Sequence, residues 1–211
     1  MSIAERKERE RRARMRLILN AALKTFAEKG YHGTSMELIA ECAELGKATI
    51  YYYFKSKDDL LLSVLENGIR EFFHQMEQEW DTTDDLLEKI QAISRVGARF
   101  FADHPNYFKL YYYSTAHPTL NQKAMRQLQP LILEKTRRIQ NLFVQAQKKG
   151  LLKPMPTSTL VEIFGSLVMG LGQFLYVDAR PEALQEKARL INEIFLNGTR
   201  TTSEDHTECL S

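Results

Sequence analysis

Apolar residues recur every three or four positions along most of the chain, which is the spacing of one face of an α-helix. Ile18, Ala22 and Phe26 mark the first such face, and Gly30 follows as a C-terminal stop signal. No stretch shows the alternation of a half-buried strand. The sequence therefore predicts an all-α protein, with helices over about residues 8–28, 34–43, 47–54, 57–80, 86–101, 106–114, 118–150, 160–175 and 181–197.

Two short helices joined by a tight turn are predicted in the first third of the chain. Thr34 and Glu37 have the spacing of a capping box, in which a hydroxyl caps the helix and a glutamate three residues later reaches back to the cap. The helix that they begin is too short to be stable without its neighbours. With the turn at residues 44–46, it forms a compact helix–turn–helix unit.

The second short helix contains three consecutive tyrosines, Tyr51–Tyr53. Only Ile50 and Phe54, one helical turn apart, need to face inward. At least two phenols should therefore face solvent or a ligand. Phenol rings and hydroxyls contact thymine methyls, sugars and phosphates, which suits a helix that lies in the major groove of DNA.

Positive charge is concentrated at the same end of the chain. The formal net charge is only +2, but residues 1–57 contain 12 Lys and Arg against 7 Asp and Glu. Such a patch attracts phosphates, although for Arg6–Arg16 taken alone a solvated charge run is the alternative. The residues before Met15 bury nothing, so we expect them to be frayed in the free protein, with arginines that reach a phosphate or a minor groove.

The sequence lacks the signals that are typical of several other classes of protein. Cys42 and Cys209 give neither a disulfide framework nor metal-ligand spacing. The histidines form no helix-spaced pair, and there is no phosphate-binding glycine loop or nucleophile elbow, so we expect no metal, no cofactor and no enzyme activity. The N-terminus lacks the apolar core of a signal peptide, and the apolar run 163–177 is shorter than the ~18 residues of a spanning helix. We therefore expect a cytoplasmic protein with no membrane contact.

The segment Met15 to Leu62 resembles the N-terminal domain of the TetR family of bacterial transcriptional regulators. The resemblance rests on AALKTFAEKGYHGTSMELIA and GKATIYYYFKSKDDLL, which combine a capped second helix, an aromatic third helix and an F-K-S-K exit. It implies a helix–turn–helix DNA-binding domain over residues 1–56 and a C-terminal helical ligand-binding and dimerisation domain over residues 57–198. It also implies a homodimeric repressor of a palindromic DNA operator, released by a small effector.

In this family the third helix reads the operator, while the starts of the second and fourth helices hold the DNA backbone. The resemblance therefore assigns base and phosphate contacts to Lys47, Thr49, Tyr51, Tyr52 and Tyr53, and backbone contacts to Lys57 and to Thr34 or Ser35. Glu44 replaces a frequent glycine of the family's turn, and Gly46 replaces a capping serine. We expect a shifted or slightly strained turn.

Aromatic residues of the second part form either an ordinary helical core or the wall of a pocket for a small apolar or aromatic effector. The resemblance favours the pocket, because most family members are released from DNA by an effector. The predicted ligand-binding residues are Phe72, Phe73, Met76, Phe100, Phe101, His104, Tyr107, Phe108, Tyr111, Phe143 and Gln173. The alternative is a TetR-like DNA-binding protein with no small effector, whose C-terminal domain binds another protein.

The last two helices are apolar enough that at least one must be buried on two sides. They form either a buried hairpin within one chain or, as in the family, a four-helix bundle between two copies. The predicted dimer residues are Phe164, Val168, Leu171, Leu175, Leu184, Ile191 and Phe195. Residues 199–211 show no apolar period, and we expect a disordered tail.

Overall fold

The computed structural model describes residues 2–201 of the chain. Over this range the secondary structure is helical, apart from one isolated bridge between Leu152 and Arg200. The prediction of an all-α fold is confirmed. The α-helices are α1 (Ile3–Lys29), α2 (Met36–Cys42), α3 (Lys47–Tyr53), α4 (Lys57–Trp80), α5 (Leu86–Asp103), α6 (Pro105–Ala116), α7 (Pro118–Lys148), α8 (Thr157–Gly170) and α9 (Pro181–Thr199), and a 3-10 helix (Leu171–Tyr176) follows α8.

The described residues form two compact units. The first contains the residues up to Ile69 together with Asn106–Gln129, and the second contains Arg70–Pro105 together with the residues from Pro130 onward. The boundary predicted between residues 56 and 57 therefore falls inside the first unit. The physical reason is that α4 is one continuous helix, with buried residues in both units. A division of function at residue 56 stays a prediction.

In the first unit, α1 supplies the packing surface for the helix–turn–helix. Ile18, Ala22 and Phe26 are buried in the predicted spacing, and Gly30 ends the helix at φ 69°, with its amide donating to the Phe26 carbonyl at 2.9 Å. Glycine adopts this left-handed φ without a side-chain clash. The predicted buried face of α1 and its stop at Gly30 are confirmed, whereas the helix begins at Ile3 rather than at about residue 8.

The N-terminal residues are helical rather than frayed, so that expectation was wrong. Ser2 caps α1 in a capping box with Glu5. Further along, Glu8 accepts hydrogen bonds from Arg11 and Arg12 at 2.9 and 2.7 Å. The alternation of Glu and Arg cannot bury apolar surface, but it places opposite charges three and four residues apart, which supports a helix.

The second unit has an aromatic core where three helices meet. Phe143 of α7, Phe164 of α8 and Phe195 of α9 are buried, with ring centroids 4.6–6.1 Å apart. A buried polar contact joins α5 to α9, since Ser94 donates to the Asn192 side chain at 2.8 Å. Both partners are satisfied, so burial costs little and the register of the two helices is fixed.

The helix predicted over residues 118–150 corresponds to α7, which contains Pro130 in its interior. Two other sequence-based boundaries differ from the structure. The predicted helix over residues 160–175 changes to 3-10 geometry after Gly170, because glycines at 170 and 172 lower helix propensity there. The tail does not begin at Thr199, whose buried hydroxyl donates to the Phe195 carbonyl at 2.8 Å. Beyond residue 201, the predicted disorder lies outside the described residues.

One stretch among residues 2–201, Thr157–Tyr176, is long and apolar enough to cross a membrane by length and composition alone. It consists of α8 and the 3-10 helix. Its buried residues, among them Phe164 and Val168, belong to the core of the second unit.

Candidate nucleic-acid interface

The third helix presents most of its surface to solvent. Ile50 is the one buried residue of α3, and Phe54 closes the helix at its C-cap. Tyr52 is 79% exposed and Tyr51 44%, whereas Tyr53 is half-buried. The prediction that at least two phenols face outward is confirmed. Their contact with DNA stays a prediction.

Lys47 and Glu37 form an ion pair between α3 and α2. The hydrogen bond between them raises the pKa of Lys47 and lowers the pKa of Glu37. The ammonium also lies 5.7 Å from the ring centroid of Tyr51. An exposed lysine in this position can exchange the carboxylate for a phosphate with little rearrangement.

The turn between α2 and α3 is strained in the way the sequence predicted. Glu44 has φ 55°, and it is the one non-glycine residue with a positive φ in the described part of the chain. The left-handed conformation costs a residue with a Cβ roughly 1–2 kcal/mol. Gly46 caps α3 without a side-chain hydrogen bond. Thr49 is half-buried, and its amide donates to the Gly46 carbonyl at 2.8 Å.

Thr34 is not the helix cap, and it is not available to a phosphate. The residue is 2% exposed. Its hydroxyl donates to the Gly30 carbonyl at 2.7 Å, and the Thr25 carbonyl is a second, longer acceptor at 3.3 Å. Ser35 is exposed and caps α2 by accepting a hydrogen bond from the Leu38 amide at 3.1 Å. The prediction of a Thr34–Glu37 capping box was therefore wrong, because Thr34 is buried and the neighbouring Ser35 is the cap. Ser35 remains the predicted backbone contact.

Lys57 organises the loop that carries Ser35. Its ammonium donates to the Tyr31 carbonyl at 2.7 Å and to the Thr34 carbonyl at 2.8 Å, and it lies 4.2 Å from the Tyr31 ring centroid. An ammonium has three donors, so one N–H remains for a phosphate. In this structure Lys57 therefore stabilises the loop between α1 and α2. Its contact with DNA stays a prediction.

Asp58 connects four segments of the first unit, a role that the sequence did not reveal. The Tyr31 hydroxyl and the Lys123 ammonium both donate to its carboxylate. Tyr31 also stacks on Tyr113 at a centroid distance of 5.3 Å. The loop after α1, the start of α4, α6 and α7 meet in this way. No local spacing predicts these contacts, because the partners are 27 and 65 residues from Asp58.

Removal of the Asp58 charge should destabilise the first unit in a pH-dependent way. Hydrogen bonds from Lys123 and then Tyr31 lower the pKa of Asp58 below its ordinary value. A lowered folded-state pKa contributes stability above the unfolded pKa, about 3.9, that is lost as pH falls through the folded pKa. We expect Asp58→Asn to unfold at lower temperature than the wild type at pH 6, and the gap to narrow below about pH 4.

Thermal unfolding followed by circular dichroism between pH 6 and pH 3 measures this gap. Asp59→Asn is the matched control, because the neighbouring Asp59 forms no side-chain ion pair in the described structure. An equal gap for both variants, or a gap independent of pH, would contradict the assigned role of Asp58.

The predicted effector residues are divided between the two units, and their role in binding an effector stays a prediction. In the second unit, Phe72 lies 5.3 Å from Phe73 and 5.6 Å from Phe100, and the rings meet edge to face. The same unit contains Met76, Phe101 and His104, with His104 4.9 Å from Phe100. Phe143 instead belongs to the core formed with Phe164 and Phe195, and Gln173 is exposed on the 3-10 helix. The remaining three belong to α6 in the first unit: Tyr107, Phe108 and Tyr111.

A groove of about 460 Å³ opens on the second unit. It is lined by residues of α4 and α5 and the turn between them: Glu71, Gln75, Gln78, Glu79, Thr82, Arg99 and Asp103. Arg99 donates to Glu79 at 3.1 Å. This groove is polar, unlike the apolar pocket that the sequence predicted, and it shares no residue with the predicted effector set.

Most of the predicted dimer residues are buried in the core of their own unit, so their assignment to a surface between copies was wrong. Those at 4% exposure or less are Phe164, Val168, Leu171 and Leu184, and Phe195 is 6% exposed. Leu175 and Ile191 are half-buried. The apolar residues that α8 and α9 do expose are Ile163, Leu167, Met169, Leu190 and Ile194. Sequence periodicity finds two apolar faces on such helices but does not say which one the chain itself covers.

The known proteins to which this chain is similar are bacterial regulatory proteins. Residues 18–64 match the family described as bacterial regulatory proteins, tetR family. The chain is 29% identical over 195 residues to the HTH-type transcriptional repressor NicS of Pseudomonas putida, which covers 87% of this chain and 91% of that protein.

Two solved structures share the fold. The fatty acid degradation regulator FadR from Bacillus halodurans has a TM-score of 0.76 at 19% identity, over 88% of this chain and 95% of that one. FadR from Bacillus subtilis, solved in complex with stearoyl-CoA, has a TM-score of 0.74 at 20% identity, over 86% and 97%.

Proposed function

Because this chain belongs to the TetR family of bacterial transcriptional regulators, we propose that it is a homodimeric repressor that a small apolar or aromatic effector releases from a palindromic operator. The observation that carries the DNA-binding part is the exposure of α3. Tyr51, Tyr52 and Lys47 project from a short helix that buries only Ile50. A chromosomal operator also implies a cytoplasmic location.

The dimer surface in this proposal is the exposed apolar face of α8 and α9. Ile163 and Leu167 are one helical turn apart on α8, as are Leu190 and Ile194 on α9, and all four are at least 37% exposed. A Cβ added at Gly165 would meet nothing within 4 Å, so the helix surface is open for close approach there. A second copy of the same face would remove these side chains from water, which at ~25 cal/mol per Å² of apolar surface favours association.

The effector part of the proposal draws on the edge-to-face cluster of Phe72, Phe73 and Phe100 in the second unit. Phe72 is half-buried at the centre of this cluster, so it offers apolar surface at the edge of the core. FadR from Bacillus subtilis binds stearoyl-CoA in its solved structure. By likeness to that protein, a ligand with a long apolar chain is the first candidate to test. The polar groove does not serve this ligand, because carboxylates in it would repel an anionic head and do not solvate a hydrocarbon chain.

Selection of duplexes from a random library, followed by fluorescence anisotropy on the enriched sequence, tests both parts of the proposal. We expect an inverted repeat with half-sites about 34–36 Å apart or a multiple of this spacing. Addition of stearoyl-CoA, stearate or neutral aromatic compounds should weaken binding at least about tenfold for the effective class, or ~1.4 kcal/mol.

The variant Phe72→Ala separates the effector from the operator. It should keep operator affinity and lose the response to the effective compound, while Leu133→Ala, at an exposed apolar residue elsewhere in the second unit, should keep both. A library without enrichment would overturn the DNA-binding proposal. An operator that responds to none of the compounds would overturn the apolar effector and leave the protein-binding alternative.

A further inference from the structure

The N-terminal part of α1 extends well beyond the region where the helix packs. Ile18 is the first buried residue of a helix that begins at Ile3. At 1.5 Å per residue, the fifteen residues before it extend for about 22 Å. The capping box at Ser2 and the Glu8 ion pairs hold this extension in helical form. Its charges are therefore presented in a fixed geometry.

One stripe of this extension continues the packed face of α1. Lys7, Arg11 and Arg14 follow a spacing of four and three residues, and Ile18 comes four residues after Arg14 on the same side. The buried side of α1 rests on α2 and its neighbours. The basic stripe thus faces the same side of α1 as the helix–turn–helix, in the part of the helix where nothing is packed beneath it.

The recognition helix belongs to the same unit as this stripe. The hydrogen bond to Glu8 raises the pKa of Arg11, and Tyr53 and Tyr52 contribute less to this shift through longer-range electrostatic interaction. Arg11 remains about half exposed, and Tyr52 is 79% exposed. Because α1 packs on α2 and α2 packs on α3, the basic stripe of α1 and the exposed surface of α3 belong to one packed set of helices in the first unit.

The stripe has positive charge to offer to an anion. Within residues 2–201, Lys7 and Arg14 form no ion pair, and residues 6–16 contain seven Lys and Arg against two Glu. Lys7 and Arg14 are separated by about 10 Å along the helix axis, which equals the rise of about three base-pair steps along a DNA duplex at 3.4 Å per step. A rod of this charge and length matches a DNA backbone better than a point-like anion.

We propose that Lys7, Arg11 and Arg14 form a second DNA contact, which binds the sugar-phosphate backbone flanking the bases that α3 reads. The inference rests on the proposed operator binding and extends it, because it assigns α1 a contact outside the helix–turn–helix. The contact carries no base specificity, since phosphate contacts position a protein without reading sequence. It lengthens the bound site on both sides of the inverted repeat.

The experiment compares two triple variants with the same change of charge. In the first, Lys7, Arg11 and Arg14 are all replaced by Gln. In the second, Arg9, Arg12 and Arg16, which lie on the opposite side of α1, are replaced by Gln. Gln has nearly the helix propensity of Lys and Arg, and circular dichroism verifies that helix content is kept. Each variant is measured by anisotropy on the selected operator with about ten flanking base pairs on each side and on a duplex cut at the ends of the repeat.

On the long duplex, the first variant should bind at least about tenfold more weakly than the wild type. The slope of log K against log salt should become shallower by about 5, at ~0.9 for each of the six phosphates that a dimer would neutralise with release of their counterions. The second variant should keep the wild-type slope within about 1. On the cut duplex, both variants and the wild type should bind alike.

Equal losses for the two variants would overturn the proposal, because a general charge effect would then explain them. Unchanged binding by the first variant, or an equal loss on both duplexes, would overturn it as well. Failure of the repressor proposal is distinguishable, because in that case the wild type itself does not bind the cut duplex with sequence preference.

Discussion

Ile194→Arg is expected to convert the dimer to a monomer and to cost about 2–5 kcal/mol of operator affinity, half of the roughly 4–10 kcal/mol that separates specific from non-specific binding. Ile194 is 70% exposed on α9, so the substitution leaves the core of the chain intact. Against a second copy, the buried guanidinium would be unpaired, and an unpaired buried charge is strongly unfavourable. Without the partner, only one half-site can be contacted at a time.

Sedimentation equilibrium and anisotropy on the selected operator measure the two consequences. Leu133→Arg is the matched control, since Leu133 is an exposed apolar residue of α7 in the same unit and lies outside the α8 and α9 face. It should remain dimeric with wild-type affinity. A dimeric Ile194→Arg protein, or a monomer that binds the operator as tightly as the wild type, would show that the interface lies elsewhere or that it is not required.

Tyr52→Ala should weaken operator binding by about 1–3 kcal/mol with no measurable loss of stability. Tyr52 is 79% exposed and contacts its neighbour Tyr53 at 5.2 Å, so its removal disturbs little in the free protein. On DNA the ring and the hydroxyl would be desolvated together, which explains why the binding energy falls more than the stability. Tyr52→Phe separates them, because it keeps the apolar contact and removes only the hydrogen bond.

Anisotropy on the operator and urea unfolding measure the two quantities for each variant. Tyr176→Ala, at a 65% exposed phenol of the second unit, is the control and should change neither. If Tyr52→Ala binds as the wild type does, α3 does not read the operator through this residue. If Tyr52→Ala lowers the free energy of unfolding as much as it weakens operator binding, Tyr52 stabilises the fold and does not contact the operator directly.

The Glu37–Lys47 ion pair adds a physical constraint to operator binding. In the free protein the Lys47 ammonium is occupied by a carboxylate on the surface that would face phosphates. In the proposed complex, DNA would compete with Glu37 for this charge, and the free energy of the exchange would be the difference between two exposed ion pairs. Because exposed pairs of this type are weak, we expect the exchange to change the free energy of operator binding little.

The sequence by itself determined most of the helices and the helix–turn–helix that carries the proposed DNA-reading surface. Periodicity located α2 and α3, and three adjacent tyrosines on a helix with only Ile50 and Phe54 facing inward required an exposed phenol surface. The departure of the turn from the pattern of the family that it resembles predicted strain, and Glu44 does adopt a left-handed conformation. These features are local, since each follows from residues within about one helical turn of one another.

Tertiary structure decided everything that depends on partners distant in sequence. It buried Thr34 and left Ser35 as the cap, engaged Lys57 with the loop carbonyls, and joined Asp58 to Tyr31 and Lys123. It also buried Phe164 rather than Ile163 on α8. An amphipathic pattern states how much apolar surface a helix must cover, but whether the same chain or a second copy covers it depends on which helices pack together.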